Sequence, residues 1–395
     1  MRLLNYKMFL ESLLNTNFYF LPTYDECKLI CDSHDNFIFY ETKHKCDGFD
    51  ISIFNYRLAS FQNFDNPVSN RPDIKAHEMR GITFVWNTDG TLFKRYLLLD
   101  KFFNLDQTPC SMYSVVKDFK IKNIYNKEDG SIASFIKLPN GKVLGRSKAS
   151  FESDQAIEIQ NIYNSDSYIK KFVDFCMSKN IIPIFEYVSP NNRIVVPYAN
   201  TELILLRLRD NNTGEYLDIN NFSDHLDGIS VAASLDGHTL DSIKDAVIKM
   251  EGKEGVIIQF ENGKMIKLKS PWYCALHGIY TTDLKRENTL IKFIIEETID
   301  DVLAQLNDPL KIKEVEKITN IINRYIKNIS DKTDELLSNF NGNVREFALK
   351  HSKDKLFHIA IGVINGKDKL FLIKEKILSD TKNLMSARKW IVDNS

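Results

Sequence analysis

The chain has 395 residues, 43% of them hydrophobic and 27% charged, and a formal net charge of −1. That length is more than one ordinary core fills, so two domains are expected. The near-neutral balance excludes capture of nucleic acid by a global positive field and leaves only local basic patches, and no apolar run approaches a membrane span.

The N-terminal MRLLNYKMFLESLL is interrupted by Lys7 and Glu11 and leads to no small-residue cleavage site, so a cytoplasmic protein is expected. Six cysteines, at 27, 31, 46, 110, 176 and 274, are too irregularly spread for a disulfide framework. Cys27, Cys31, His34, His44 and Cys46 lie close together but match no standard zinc spacing, so buried thiols are expected there.

From about residue 50 to 270 the chain reads as short strands: FDISIFNY, RGITFVW, GSIASFIKL, IIPIFEYVS, RIVVPY, ELILLRLR, GVIIQF and KMIKLKS. Helical stretches around 154 to 180 and 240 to 250 interrupt them. Beyond about 285 the period changes. Leu290, Ile294, Ile295, Ile299, Val302 and Leu306 follow helical spacing, as do Val315, Ile318, Ile322, Tyr325, Ile326 and Ile329. The expected fold is α+β, with mainly antiparallel sheets in a domain over 1–280 and an all-helical C-terminal domain over 281–395. From Asn343 to Ser395 there are 11 Lys or Arg against 6 Asp or Glu, a net of +5 that suits RNA phosphates or an ordinary solvated face.

Two Asn-Gly pairs carry register information. Taken as a two-residue loop, Asn262-Gly263 sets Ile258 opposite Lys267 and Val256 opposite Lys269, with Glu254, Lys267 and Lys269 on one face. Likewise Asn140-Gly141 sets Phe135 opposite Arg146 and puts Arg146 and Lys148 on the side of Ser131. A slip of one residue would reverse these faces.

The chain has no GxxxxGK[ST] loop, no CxxC pair, and only one histidine of a zinc-protease motif, at His77-Glu78. What remains is lysine chemistry. A nucleophilic amine needs neighbouring cations or desolvation to be reactive, and Lys148, Lys267 and Lys269 could supply that neighbourhood while also holding phosphate oxygens. Glu186 and Glu254 could hold a ribose hydroxyl or a divalent metal.

In order the chain carries KEDG at 127 to 130, FEYVSPNNRIV at 185 to 195, KEGV at 253 to 256 and KLKS at 267 to 270. This ordered set resembles the covalent nucleotidyltransferase superfamily of polynucleotide ligases and messenger-RNA capping enzymes. The flanks RGITF, DKFFNLDQTP, SKASFESDQA and KSPWYCALH are similar to the RNA ligase 1 family of T-even bacteriophages, the tRNA-repair ligases, over roughly Asp50 to Asp301. Capping enzymes and DNA ligases carry a β-barrel after the last lysine motif, whereas this chain turns helical there.

The resemblance implies an ATP-dependent RNA ligase that uses Mg2+ and joins a 5′-phosphate to a 3′-hydroxyl through lysyl-AMP and RNA-adenylate. It implies Lys127 as the lysine that takes AMP, with its acidic neighbours lining the nucleotide site. Tyr56, Arg80, Lys101, Asn126, Glu186, Glu254, Lys267 and Lys269 are the implied nucleotide contacts. Lys148, Glu254 and Tyr273 are implied for ligation, and Asp300 and Asp301 as metal-site residues. Arg146 stands where lysine is usual, Ala149 where glycine is, and Pro271 lies inside the last motif. The implied partner is RNA, in particular tRNA broken in its anticodon loop in a phage-infected cell, with a separate end-healing kinase and phosphatase. Alternatives are a capping-type guanylyltransferase and a catalytically dead RNA-binding protein on the same scaffold.

Overall fold

A computed structural model describes residues 20–192, 194–235, 239–276, 287–299, 309–338 and 340–395. The chain divides into two units, Met1–Tyr280 and Thr281–Ser395. Among the described residues, strands occur only in the first.

That unit opens with helix α1 (Tyr24–Asp32), started by a capping box between Thr23 and Glu26. Strands β1 (Phe39–Cys46), β2 (Phe49–Tyr56), β3 (Ile82–Trp86) and β4 (Leu92–Tyr96) follow as an antiparallel meander. Cys27, Ile30 and Cys31 of α1 pack with Phe39, Phe54 and Phe84 of the meander. The next strands are β5 (Phe103–Asn104), β6 (Ile121–Lys127), β7 (Ser131–Lys137), β8 (Val143–Ser147), β9 (Ile181–Val188), β10 (Glu202–Asp210), β11 (Tyr216–Leu217), β12 (Gly255–Phe260) and β13 (Met265–Lys269). They form a five-stranded sheet, β11-β10-β9-β7-β8, and a four-stranded sheet, β5-β13-β12-β6. The β13–β5 contact is parallel and the other ladders are antiparallel.

Every residue of β9, IIPIFEYV, is buried, as a strand covered on both faces requires. Helices α2 (Asp154–Ser165) and α3 (Ser167–Ser178) cover one face, where Phe172 meets Phe185 at 6.3 Å. The third sheet rests on α4 (Leu240–Ile248), whose Leu240, Ile243 and Val247 pack against Ile124, Val256, Ile258, Phe260, Ile266 and Leu268.

Both hairpins depart from the expected register by one residue, for the same reason. Gln259 pairs with Met265 and Ile257 with Lys267; Phe135 pairs with Gly145 and Ser134 with Arg146. Each loop therefore holds three residues. Phe260 N–H donates to Lys264 O and Leu138 N–H to Lys142 O, with Gly263 and Gly141 at φ +82° and +87°. A turn ending in a left-handed glycine accommodates Asn-Gly as readily as a two-residue loop does. RIVVPY, expected as a strand, is not one over its described residues.

A buried ion pair ties the meander to the five-stranded sheet. Arg209 on β10, fully buried, meets both oxygens of Glu78 at 2.5 and 2.9 Å and also donates to Leu98 O and Gly214 O. Lys101 N–H donates to His77 O at 2.9 Å, so the pair stands behind the 77–80 and 98–101 segments.

The second unit consists of α5 (Glu287–Ile295), α6 (Pro309–Leu337), α7 (Val344–His351), α8 (Phe357–Ile364), α9 (Lys369–Asp380) and α10 (Leu384–Asp393). Val315, Ile318, Ile322 and Ile326 make the buried stripe of α6. Lys374–Glu297, Arg388–Glu287 and Lys369–Asp334 pairs at 2.7, 2.9 and 2.6 Å link elements within this unit.

Removing one partner of a buried pair costs about 3–5 kcal/mol, whereas replacing both with apolar groups is far milder. Arg209→Met is therefore expected to destabilise the strand-rich unit by about that amount, and Arg209→Met with Glu78→Met by much less. Urea titration of the three proteins checks this; equal losses in the single and double variants would show that the pair is not the source.

Candidate active site

The chemistry-bearing residues gather where β6, β12 and β13 end together. Lys127, the last residue of β6, lies opposite Gly255, and Gly255 lies opposite Lys269. Strand alternation puts Tyr125, Lys127, Ile257, Lys267 and Lys269 on one face and the apolar residues packed on α4 on the other. Lys127 Nζ is 2.6 Å from Glu254 Oε2, and Lys269 Nζ is 2.9 Å from Glu254 Oε1. One carboxylate, 3% exposed, thus bridges two ammonium groups.

Glu254 reaches this face for a reason the expected register did not contain. With the ladder shifted by one, alternation alone would put Glu254 on the side of Val256. Gly255, at φ +148°, breaks the alternation, and a Cβ on it would lie 2.0 Å from Leu268 O. Only glycine fits there, and its backbone turn lets the preceding glutamate meet both lysines.

Glu186 on β9 closes the site from the other sheet. It is 8% exposed, and its Oε1 accepts from Gly130 N–H at 3.1 Å. Burial, with help from the negative charge of Glu254 and against Lys127, pushes its pKa up to about 7. A Cβ on Gly130 would lie 2.3 Å from Tyr187 O, so the last residue of KEDG must be small for β6–β7 to approach β9.

Asp129 of KEDG is engaged away from the lysine, contrary to expectation. Asp129 is 2% exposed. Its Oδ2 accepts from the N–H groups of Val195 and Val196, both at 2.8 Å, and its Oδ1 accepts from Tyr273 OH at 2.8 Å. Tyr198 OH donates to Glu128 Oε2 and accepts from Asp129 N–H, both at 2.9 Å. Hence Asp129 and Tyr198, which sequence reasoning missed as positioning residues, tie the lysine loop to the 194–198 segment and to Tyr273. The sequence signal was an aspartate in a short turn, a residue type that commonly captures backbone amides.

The meander contributes a cationic and aromatic wall. Lys101 Nζ lies 5.2 Å from the Tyr56 ring and Lys148 Nζ lies 5.1 Å from it. Lys267 Nζ stands 5.6 Å from the Phe102 ring and Lys269 Nζ 5.0 Å from that of Tyr273. Arg80 donates to Leu99 O and Asp100 O, and its charge reaches Glu186.

Two residues singled out in the sequence, Asn126 and Arg146, stand elsewhere. Asn126 falls on the α4 side of β6, where its carboxamide oxygen accepts from Lys253 at 3.4 Å. Arg146, with the register corrected, leaves the side of Ser131 and is buried, donating to Thr83 Oγ1 and to Ser147 O and Lys148 O; burial alone lowers its pKa to about 9. Asp300 and Asp301 lie outside the described residues.

A lysine and a glutamate thus share the end of an antiparallel ladder, with further lysines alongside and a second glutamate opposite. The family profile described as RNA ligase matches residues 78–273, the segment that holds Lys127, Glu186, Glu254, Lys267, Lys269 and Tyr273. A provisionally described RNA ligase of Thermovibrio ammonificans is 26% identical over 350 residues, 86% of this chain and 88% of its own. Among solved structures, an archaeal ATP-dependent RNA ligase aligns with 74% of this chain and 76% of its own, at 13% identity and a TM-score of 0.45. An RNA ligase of Naegleria gruberi, solved as a mutant with ATP and Mn, covers 46% of this chain and 58% of its own, at 15% identity and 0.37.

Because the Glu186 pKa is raised in the fold, its favourable state is the protonated one. Its contribution is full below the unfolded carboxyl value and is lost as pH rises through about 7. Without nucleotide, the wild type is expected to lose up to about 3 kcal/mol relative to Glu186→Gln between pH 5 and 8. Denaturant titrations of both proteins across that range decide it; a constant difference would mean that Glu186 ionises freely.

Proposed function

We propose that the chain is an ATP-dependent RNA ligase that seals a 5′-phosphate to a 3′-hydroxyl. The 2.6 Å contact between Lys127 and Glu254, beside Lys267 and Lys269, is the observation that carries this reading. In the first step Lys127 Nζ attacks the α-phosphorus of ATP; the N–P bond forms, the bond to the β-phosphate oxygen breaks, and pyrophosphate leaves. Glu254 Oε2 is placed to take the proton that Nζ sheds. Lys267 and Lys269 hold phosphate oxygens as charge builds on them.

In the second step an oxygen of the RNA 5′-phosphate attacks the phosphorus of lysyl-AMP, freeing Lys127 and giving RNA-adenylate. In the third, the 3′-hydroxyl attacks the RNA phosphate, and AMP departs as the phosphodiester forms. Lys148 beside Tyr56, and Tyr273 against Asp129, are proposed to serve these later steps, and Arg80 and Lys101 to hold the nucleotide. Among the described residues no group of three or more His, Cys, Asp or Glu could hold a metal. Magnesium in such sites is bound by one or two carboxylates together with substrate phosphates; Glu254 and Glu186 fit that pattern, and the ion would offset phosphate charge.

We further propose that the natural RNA is a tRNA broken in its anticodon loop in a phage-infected cell, its ends healed by a separate kinase and phosphatase. The likeness of the motif flanks to the RNA ligase 1 family supports this reading, and the basic balance beyond Asn343 is compatible with RNA recognition by the helical unit.

Incubation with magnesium and each α-labelled nucleoside triphosphate is the test. ATP should label the protein with an acid-labile adduct that Lys127→Ala lacks. Lys269→Ala should slow labelling by about 10²-fold, the typical loss for one such contact. Label from GTP alone would make the chain a capping-type guanylyltransferase, and no label from any nucleotide a binding protein on a dead scaffold.

A further inference from the structure

The helical unit contains an open cavity of about 1010 Å³. Its walls come from α6, from the turn after α7 and from α9. From the structure we infer that this groove binds the phosphodiester backbone of a single RNA strand. The inference rests on the RNA ligase reading above and adds to it a specific site.

The lysines decide the sign. Lys332 on α6, Lys353 and Lys355 on the turn, and Lys376 on α9 converge on the groove. Several lysines of this unit outside the groove are neutralised locally, Lys327 by Asp331 at 3.1 Å, Lys369 by Asp334 at 2.6 Å and Lys374 by Glu297 at 2.7 Å, whereas what sets the groove apart is the convergence of its lysines on one cavity. Lys376 likewise pairs with Asp380 at 2.9 Å. Among the described residues, Lys332, Lys353 and Lys355 have no ion-pair partner within 4.0 Å, and all three are exposed. Two carboxylates share the wall, Glu335 and Asp354. Asp354 is occupied locally, its Oδ1 accepting from Leu356 N–H at 2.7 Å across the turn that presents the two lysines.

The remaining wall suits a nucleic acid. Tyr325 presents an aromatic surface and is held edge-on by Trp390 at 4.9 Å. His351, at the entrance to the turn, rests against Phe347 at 4.8 Å. Unneutralised lysines beside an aromatic platform form the usual combination for single-stranded nucleic acid, with charge tracking the backbone and a ring available for a base. The volume reaches the upper limit of small-ligand pockets and the groove is open, which favours a strand over a mononucleotide.

The full chain and a triple variant, Lys332→Ala with Lys353→Ala and Lys355→Ala, should be titrated with a labelled single-stranded RNA bearing a 5′-hydroxyl, across a range of salt. Each phosphate contact on a single strand contributes about 0.7 to the slope of log K against log salt. The triple variant should lower the slope by about 2 and weaken binding at least tenfold at low salt. The equivalent triple to arginine should keep the slope. Lys367→Ala with Lys382→Ala and Lys389→Ala, which removes three exposed charges outside the groove, should barely change it. An unchanged slope in the groove variant, or an equal fall in the control, overturns the inference. If the alanine triple does not fold, Lys353→Ala alone is read instead and must lower the slope by about 0.7; no fall overturns the site. Adduct formation at Lys127 is scored separately. Its absence in the wild type would remove the ligase reading, while its presence with an unchanged slope removes only the groove.

Discussion

The carboxylate of Glu254 is the constraint on which the site depends. The ammonium groups at the ends of β6 and β13, the two strands that flank β12, repel each other, and bringing them within reach of one another in a half-buried cleft is costly unless an anion lies between them. Glu254 supplies it with one oxygen for each lysine, at 2.6 and 2.9 Å. The arrangement is charge-compensated by the protein's own groups. In the proposed reaction a triphosphate would bring negative charge to the same lysines, and the interaction that holds them apart from solvent would be exchanged for the substrate's own oxygens. Glu254 is then left beside Lys127 as the nearest proton acceptor.

This geometry follows from backbone rather than from side-chain adaptability. Lys127, Gly255 and Lys269 occupy one row across three strands because the two ladders share Gly255. The close approach of Leu268 O to that residue leaves no room for a Cβ. A few residues away Gly130 meets Tyr187 O in the same manner and brings Glu186 up to the lysine loop. Two glycines in KEGV and KEDG therefore set the distances among three charged groups drawn from three strands.

Much of the fold was legible in the sequence, and the failures have identifiable causes. The apolar runs IIPIFEYV and ELILLRLR read as strands because burial on both faces leaves no other pattern. β6, the strand that delivers Lys127, was not recognised. Only Ile124 and Asn126 of its IKNIYNK sequence are buried, so its strand state comes from pairing with β12 and not from its own composition. RIVVPY failed for the opposite reason: its composition favours a strand, but the amides of Val195 and Val196 are taken by the Asp129 side chain and are lost to any ladder. The hairpin faces went wrong by one residue because Asn-Gly specifies a turn and not its length. Glu254 still met Lys269, since Gly255 reverses the same alternation that the register error had reversed.

Asp129 shows why a motif can be read correctly as a unit and wrongly by residue. An acid next to a reactive lysine invites a catalytic assignment, yet a carboxylate that accepts from two backbone amides and a tyrosine hydroxyl has little capacity left for a substrate. Its effect is exerted through what it holds. One oxygen organises the 194–198 segment, whose Tyr198 returns to Glu128, and the other fixes Tyr273, whose ring stands beside Lys269. The lysine that would carry the nucleotide and the lysine that would hold its phosphate are thus connected twice, once through Glu254 on the open side and once through Asp129 and Tyr273 beneath. A displacement of the KEDG loop cannot leave the β13 end unaffected, so the position of the nucleophile and the position of the phosphate site are a single structural variable.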